Sequence, residues 1–122
     1  MAEVHESIIR SFRKRIVKRG MREARSPMPT YRPDIFAEKI SKNGAVLEQV
    51  VVEAEIQTTL FTEHTSHQLL LLDEFIRHQR RKRISVRGFL LIPKGRVVRS
   101  YASSLLDSLF PGGTQIRVVE AA

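Results

Sequence analysis

The sequence predicts an α/β fold: a mixed β-sheet flanked by helices, in the order α-β-β-α-β-α-β. Three observations carry this. Helical apolar patterns occur in three separated stretches. An Asn43-Gly44 pair sits between two extended arms, the strongest short signal for a β-hairpin. Later strand-like segments alternate with the helical ones, so helical crossovers must join them to the hairpin in one sheet.

Residues 4–21 read as the opening helix, with Val4, Ile8, Phe12 and Ile16 recurring every four positions. Gly20 weakens its end, and Ser26-Pro27-Met28-Pro29 closes it with a short stiff linker. A strand over residues 32–41 leads into the Lys42-Asn43-Gly44 turn, and residues 45–57 form the second arm. Alternation there puts Val46, Val50, Val52, Ala54 and Ile56 on one face, expected to pack on helices. Gln49, Glu53, Glu55 and Gln57 fall on the other, expected to open into a cleft. After a loop near residues 58–63, a helix spans residues 65–80, apolar all round at Leu69–Leu72. Residues 84–92 form a strand bounded by Pro93 and Gly95. Residues 97–109 form a helix ended by Pro111-Gly112-Gly113, and residues 115–119 a last strand.

At 122 residues the chain is expected to be one domain, residues 1–122, with one core. It has no membrane-length apolar run and no signal-peptide core, which points to an intracellular, cytoplasmic protein with no membrane partner. The absence of cysteine removes disulfides, thiolate catalysis and Cys-type zinc sites. The net charge of +8 is unevenly placed. Of 21 Lys and Arg residues, nine lie in residues 10–32 and nine more in residues 77–99, the latter with no acid among them. Two basic blocks around an acidic centre suggest a polyanion, probed first at Arg13, Lys14 and Lys18 and at Arg80-Arg81-Lys82-Arg83. Tyr31, Tyr101 and the six phenylalanines offer little aromatic interleaving, so base stacking is not indicated.

The acidic centre is Glu53-Ala54-Glu55, directly after Val50-Val51-Val52. Acids two apart on a strand share a face and repel unless solvated or neutralised. A divalent cation would neutralise them, with Asp34 as a third ligand. An E-x-E on an amphipathic strand is by itself usually a solvated face, and the upstream Pro33-Asp34 shifts the balance.

With Pro33-Asp34 opening one hairpin strand and Glu53-Ala54-Glu55 ending the next, this order of elements resembles the PD-(D/E)XK nuclease superfamily, whose fold is restriction-endonuclease-like. The resemblance covers nearly the whole chain, from about residue 4 to residue 119. It implies that Asp34 and Glu53 hold a divalent metal, Mg2+ or Mn2+. Glu55 stands where the family usually has lysine, a departure shared with some restriction endonucleases. Lys39 and Lys94 are the lysines that would have to replace it in space. A second register takes Glu55 as the motif acid and Gln57 in the lysine position. Glu6 matches a further metal-facing acid on the opening helix, and Gln68 loosely matches a glutamine of the RecB-like branch, although the aromatic expected four positions later is Leu72. The implied activity is metal-dependent endonucleolytic hydrolysis of DNA, with catalysis by Asp34, Glu53 and Glu55. A symmetric homodimer would cut both strands, and Holliday junction resolvases among small members suggest branched DNA. The alternative is a non-catalytic DNA-binding or accessory protein with a degenerate nuclease fold.

Each accessory residue also has an ordinary reading. Thr65-x-x-Gln68 fits a capping box, which ranks above a functional role for Gln68. Glu6 suits a helix first turn on dipole grounds. His64 and His67 fit a polar helix entry better than a zinc site, and isolated His5 and His78 support no nucleophilic triad.

Overall fold

A single five-stranded sheet organises the chain, in the spatial order β1-β2-β3-β4-β5. The computed structural model describes residues 2–28 and 30–121, so Pro29 of the expected linker lies outside the described residues. The elements are α1 (Ala2–Lys18), β1 (Arg22–Glu23), β2 (Ile35–Ile40), β3 (Val46–Ala54), α2 (Glu63–Arg81), β4 (Val86–Ile92), α3 (Arg96–Leu109) and β5 (Ile116–Glu120). β1, β2 and β3 pair antiparallel, whereas β3–β4 and β4–β5 pair parallel through helical crossovers. The mixed α/β sheet expected from sequence is present. No helix among the described residues is long and apolar enough to cross a membrane.

One element is added to the expected order: the two-residue β1, which edges the sheet beside β2. Its origin is the end of α1. Gly20 takes a positive φ of 75°, its N–H bonds to Val17 O at 3.0 Å and the N–H of Met21 to Ile16 O at 3.1 Å. That pair of bonds is a Schellman stop, in which glycine avoids the Cβ penalty of the left-handed region. Met21 is buried in the same cluster as Ile16, which turns the chain back onto the sheet. The helix is therefore ended by Gly20 itself rather than by the downstream prolines.

The two faces of the sheet carry separate apolar clusters. On one side Ile8, Ile9, Phe12 and Ile16 of α1 pack on Ile35, Ala37, Val50, Val52, Ala54 and Leu91, while Val4 of the expected stripe is exposed. On the other side α2 and α3 place Leu69, Leu72, Ile76, Val98 and Leu105 against Phe36, Val51, Leu90 and Ile116. Burial on both faces explains why the last six residues of β3, Gln49 to Ala54, are all buried. The polar face of β3 is thus largely roofed by α2 instead of opening to solvent. Gln49, 4% exposed, is satisfied there by Gln79 Nε2 at 2.7 Å and donates to Glu38 Oε2 at 3.0 Å.

The hairpin forms at the Asn-Gly pair. Of the two residues only Gly44 has positive φ, so the turn is not the type I′ form, which needs positive φ at both central positions.

Close contact between α2 and β4 depends on Gly88, where an added Cβ would lie 2.4 Å from Ile76 Cδ1 and 3.3 Å from Leu72 Cδ1. Ile76 and Leu72 are fully buried and have little room to yield. Gly88→Val is expected to destabilise the fold by about 1–3 kcal/mol, the scale of overpacking a filled core. Urea unfolding checks this, and an unchanged midpoint would contradict the packing.

Candidate active site

The carboxylates meet because of strand register. Ile35 pairs with Val52 in the antiparallel β2–β3 ladder, and continuing it by one residue sets Asp34 opposite Glu53. Directly opposed residues share a sheet face, with Cβ atoms about 5 Å apart. The face is that of Phe36 and Val51, under α2. Asp34 Oδ2 accepts the backbone N–H of Ala54 at 2.8 Å, which fastens the start of β2 to the end of β3. Glu55 follows with period two on the Glu53 side.

These residues line a cleft of about 420 Å³, with Glu6, Asp34, Glu53, Glu55 and Gln68 on its walls. The loop after β3 and the start of α2 form the opposite side. Thr59 Oγ1 donates to Glu55 Oε2 at 2.5 Å and accepts the N–H of Ile56 at 3.1 Å. The N-cap of α2 is Thr62, which accepts from Thr65 N at 3.2 Å. Thr65 Oγ1 is occupied by Thr59 O at 2.8 Å. The capping box expected at Thr65–Gln68 is therefore not formed, because the helix begins earlier, at Glu63, and Gln68 is left as a wall of the cleft.

Burial shapes the electrostatics. Glu53 is 4% exposed, and its pKa is pushed up to about 8, first by desolvation. The Tyr31 hydroxyl opposes the shift by donating to Glu53 Oε1 at 2.7 Å, while Asp34 and Glu55 add to it. Asp34 is also raised, first by burial; the Ala54 N–H and His5 counteract this and Glu6 reinforces it. Burial, with Glu53 beside it, drives the Tyr31 hydroxyl far upward, so it remains a donor. His5 donates from Nε2 to Ala54 O at 2.9 Å, and the same nitrogen lies 3.8 Å from Asp34 Oδ2. Among the described residues no three His, Asp or Glu side chains converge into a ready-made metal cage.

Several expectations are corrected. Gln57 is exposed and absent from the cleft, because β3 ends at Ala54 and the chain turns, with Thr59 N bonded to Ile56 O at 3.0 Å. The second register of the motif therefore has no geometric basis. Lys39 shares the α1 face with Ile35 and Ala37, beside Arg15 and Glu48, roughly 17 Å along β2 from Asp34. Lys94 follows β4 and is not on the cleft wall. Neither lysine replaces the one missing at Glu55.

Of the two basic blocks only Arg32, the last residue of the first, reaches the cleft. α1 and α2 both begin beside it, at His5 and Glu6 and at His64 and Thr65, and carry their cations at the far end. Arg80 lies roughly 18 Å along α2 from Gln68, and Lys18 a similar distance along α1 from Glu6. Arg13, Lys14, Lys18 and Arg80 to Arg83 are all exposed, but Arg13 is spent on Glu23 at 3.0 Å.

Tyr31, His5, Thr59 and Arg32 belong to the site and were not singled out from sequence. His5 had a signal: it stands three and four residues before the buried Ile8 and Ile9, on the inner face of α1. Thr59 had none, since its role depends on the turn after β3.

The Glu53 shift fixes a stability trend. A carboxyl with a folded pKa near 8 against an unfolded value of 4.5 binds more protons when folded. Its contribution is fully present below the unfolded value and is lost as pH rises through about 8. With EDTA present, the urea midpoint is expected to fall between about pH 6 and about pH 9, and Glu53→Gln to flatten that fall. An equally steep fall in Glu53→Gln would contradict the assignment.

No family model, curated protein or solved structure matches this chain.

Proposed function

We propose that the chain is a metal-dependent endonuclease of the PD-(D/E)XK kind that hydrolyses DNA phosphodiester bonds with Mg2+ or Mn2+. The observation that carries this reading is that Glu6, Asp34, Glu53, Glu55 and Gln68 all line one cleft, where the β2–β3 register sets Asp34 opposite Glu53. Five positions chosen for their chemistry have no reason to meet in a solvated-face account.

The donor set suits a hard cation. Mg2+ uses one or two protein carboxylates, water and substrate oxygens rather than a complete protein cage. Asp34 and Glu53 are oxygen donors whose pKa values are raised because burial disfavours their charged forms, with no bonded Lys or Arg partner among the described residues to offset it. When bound, such an ion supplies Lewis acidity toward a phosphoryl oxygen and an acidified water. Asp34 and Glu53 would hold it. Tyr31 engages Oε1 of Glu53 and leaves Oε2 as the oxygen that would meet the ion. Thr59 restrains the Glu55 carboxylate, which is placed to accept a proton from the attacking water. Glu6 adds negative potential at the mouth, with its side chain 63% exposed. A domain with one such cleft cuts one strand at a time, so double-strand cleavage implies a symmetric dimer.

A second reading, a DNA-binding protein of the same fold without cleavage, draws on one observation: no lysine lines the cleft. Plasmid and four-way-junction DNA, incubated with Mg2+, Mn2+ or EDTA, separate the two. The nuclease reading expects nicking that EDTA abolishes. Asp34→Ala and Glu53→Ala should each lower it at least ~100-fold with the melting transition retained, as loss of several kcal/mol of transition-state stabilisation implies. Cleavage that survives both substitutions would contradict the site, and chelator-insensitive binding without cleavage would support the second reading.

A further inference from the structure

The acidic cleft has a neighbour. A second concavity, about 430 Å³, runs along the β1 edge and is walled by Arg25, Ser26, Arg32, Pro33 and Asp34 among others. Arg32 and Asp34 line both it and the cleft, so the two concavities adjoin there. We propose that this groove is the track by which the sugar-phosphate backbone of one nucleic-acid strand reaches the carboxylates, with Arg25 and Arg32 as its phosphate contacts. This rests on the nuclease reading above and adds where the substrate lies.

Strand register places the track. Arg22 pairs with Glu38 and Glu23 with Ala37, and Ala24 N bonds to Phe36 O at 2.9 Å. β1 ends at Glu23, and the irregular segment after it brings Arg25 and Ser26 to the groove wall with Asp34. From the β1 edge to Glu53 on β3 is two interstrand spacings, roughly 10 Å, which corresponds to about three nucleotides of strand rise.

Charge decides what the groove holds. Its two acids are already engaged: Glu23 by Arg13 Nε, at 3.0 and 3.1 Å, and Asp34 by the Ala54 N–H at 2.8 Å. Arg25 and Arg32 make no salt bridge or side-chain hydrogen bond among the described residues, and both are exposed. Two uncommitted guanidinium groups beside a carboxylate pair suit a phosphodiester, since the planar fork of arginine pairs with phosphate oxygens in bidentate fashion. Arg32 is also the one Lys or Arg on the cleft wall. Of the denser basic runs, Arg13 is tied to Glu23 of the groove wall, and Arg81 and Lys82 line an adjoining concavity that shares Met28 with it. Arg25 and Arg32 are thus the cations nearest the carboxylates.

The test compares two double variants that remove equal charge, Arg25→Ala/Arg32→Ala at the groove and Arg80→Ala/Arg117→Ala away from it. Arg117 lies on β5, at the opposite sheet edge from β1. Binding of fluorescein-labelled single-stranded and duplex oligonucleotides is followed by anisotropy over a salt series, with calcium in place of magnesium. The track requires the first variant to weaken binding at least ~10-fold, and to flatten the slope of log affinity against log salt by about 1.5, as two lost phosphate contacts imply. The second should change affinity less than about threefold. Equal losses in the two variants, no loss in the first, or no binding by the wild type would overturn the track. If the wild type binds but does not cleave under magnesium, the nuclease reading falls, and the contrast between the variants alone decides the track.

Discussion

The Ala54 N–H donates to Asp34 Oδ2 at 2.8 Å, and much of the site is built around that bond. It forms where the β2–β3 ladder ends, one residue past the Ile35–Val52 pair. Without it the start of β2 would be free to peel away from β3, and Asp34 would lose its place opposite Glu53. The same end of β3 is gripped from the other face, where His5 of α1 donates to Ala54 O. The N–H and C=O of Ala54 thus hold the Asp34 and His5 side chains, and β3 hands over to a loop directly afterward.

Glu53 shows the cost of this arrangement. A carboxylate roofed by α2 is disfavoured in its charged form, and Tyr31 returns only part of the lost hydration. Neighbouring Asp34 and Glu55 make the position more strained electrostatically, not less. The fold accepts this because the sheet around it is packed on both faces, with fully buried Val52, Leu90 and Leu91 beside the acids. A buried carboxyl with a raised pKa on the wall of a cleft is the pattern expected of a functional site.

Much of this was legible in the sequence where the physics is local. The four-residue recurrence of Ile8, Phe12 and Ile16 marked α1, Asn43-Gly44 marked the hairpin, and period-two spacing put Glu53 and Glu55 on one face. Asp34 and Glu53 were paired in sequence by the motif resemblance, and the register that sets them opposite each other is seen in the structure. What could not be read depends on contacts between distant segments. Tyr31 reaches Glu53 across the sheet, and His5 reaches Ala54 across 49 positions. The basic runs were plain as composition, but which end of a helix meets the cleft is a tertiary fact. Arg25 and Arg32 lie within the first run and were overshadowed by its denser part. The face expected to be open was roofed because alternation on β3 shows polarity, not what packs above it.

The proposed function requires that Glu53, whose pKa burial pushes up to about 8, give up a proton when a divalent cation binds. Calorimetric titration of the protein with Mn2+ in two buffers of different ionisation enthalpy measures proton release directly. Close to one proton per bound ion is expected at about pH 7, falling toward none above about pH 9, where Glu53 is already ionised. Binding with no proton release at either pH, or release unchanged in Glu53→Gln, would contradict the account.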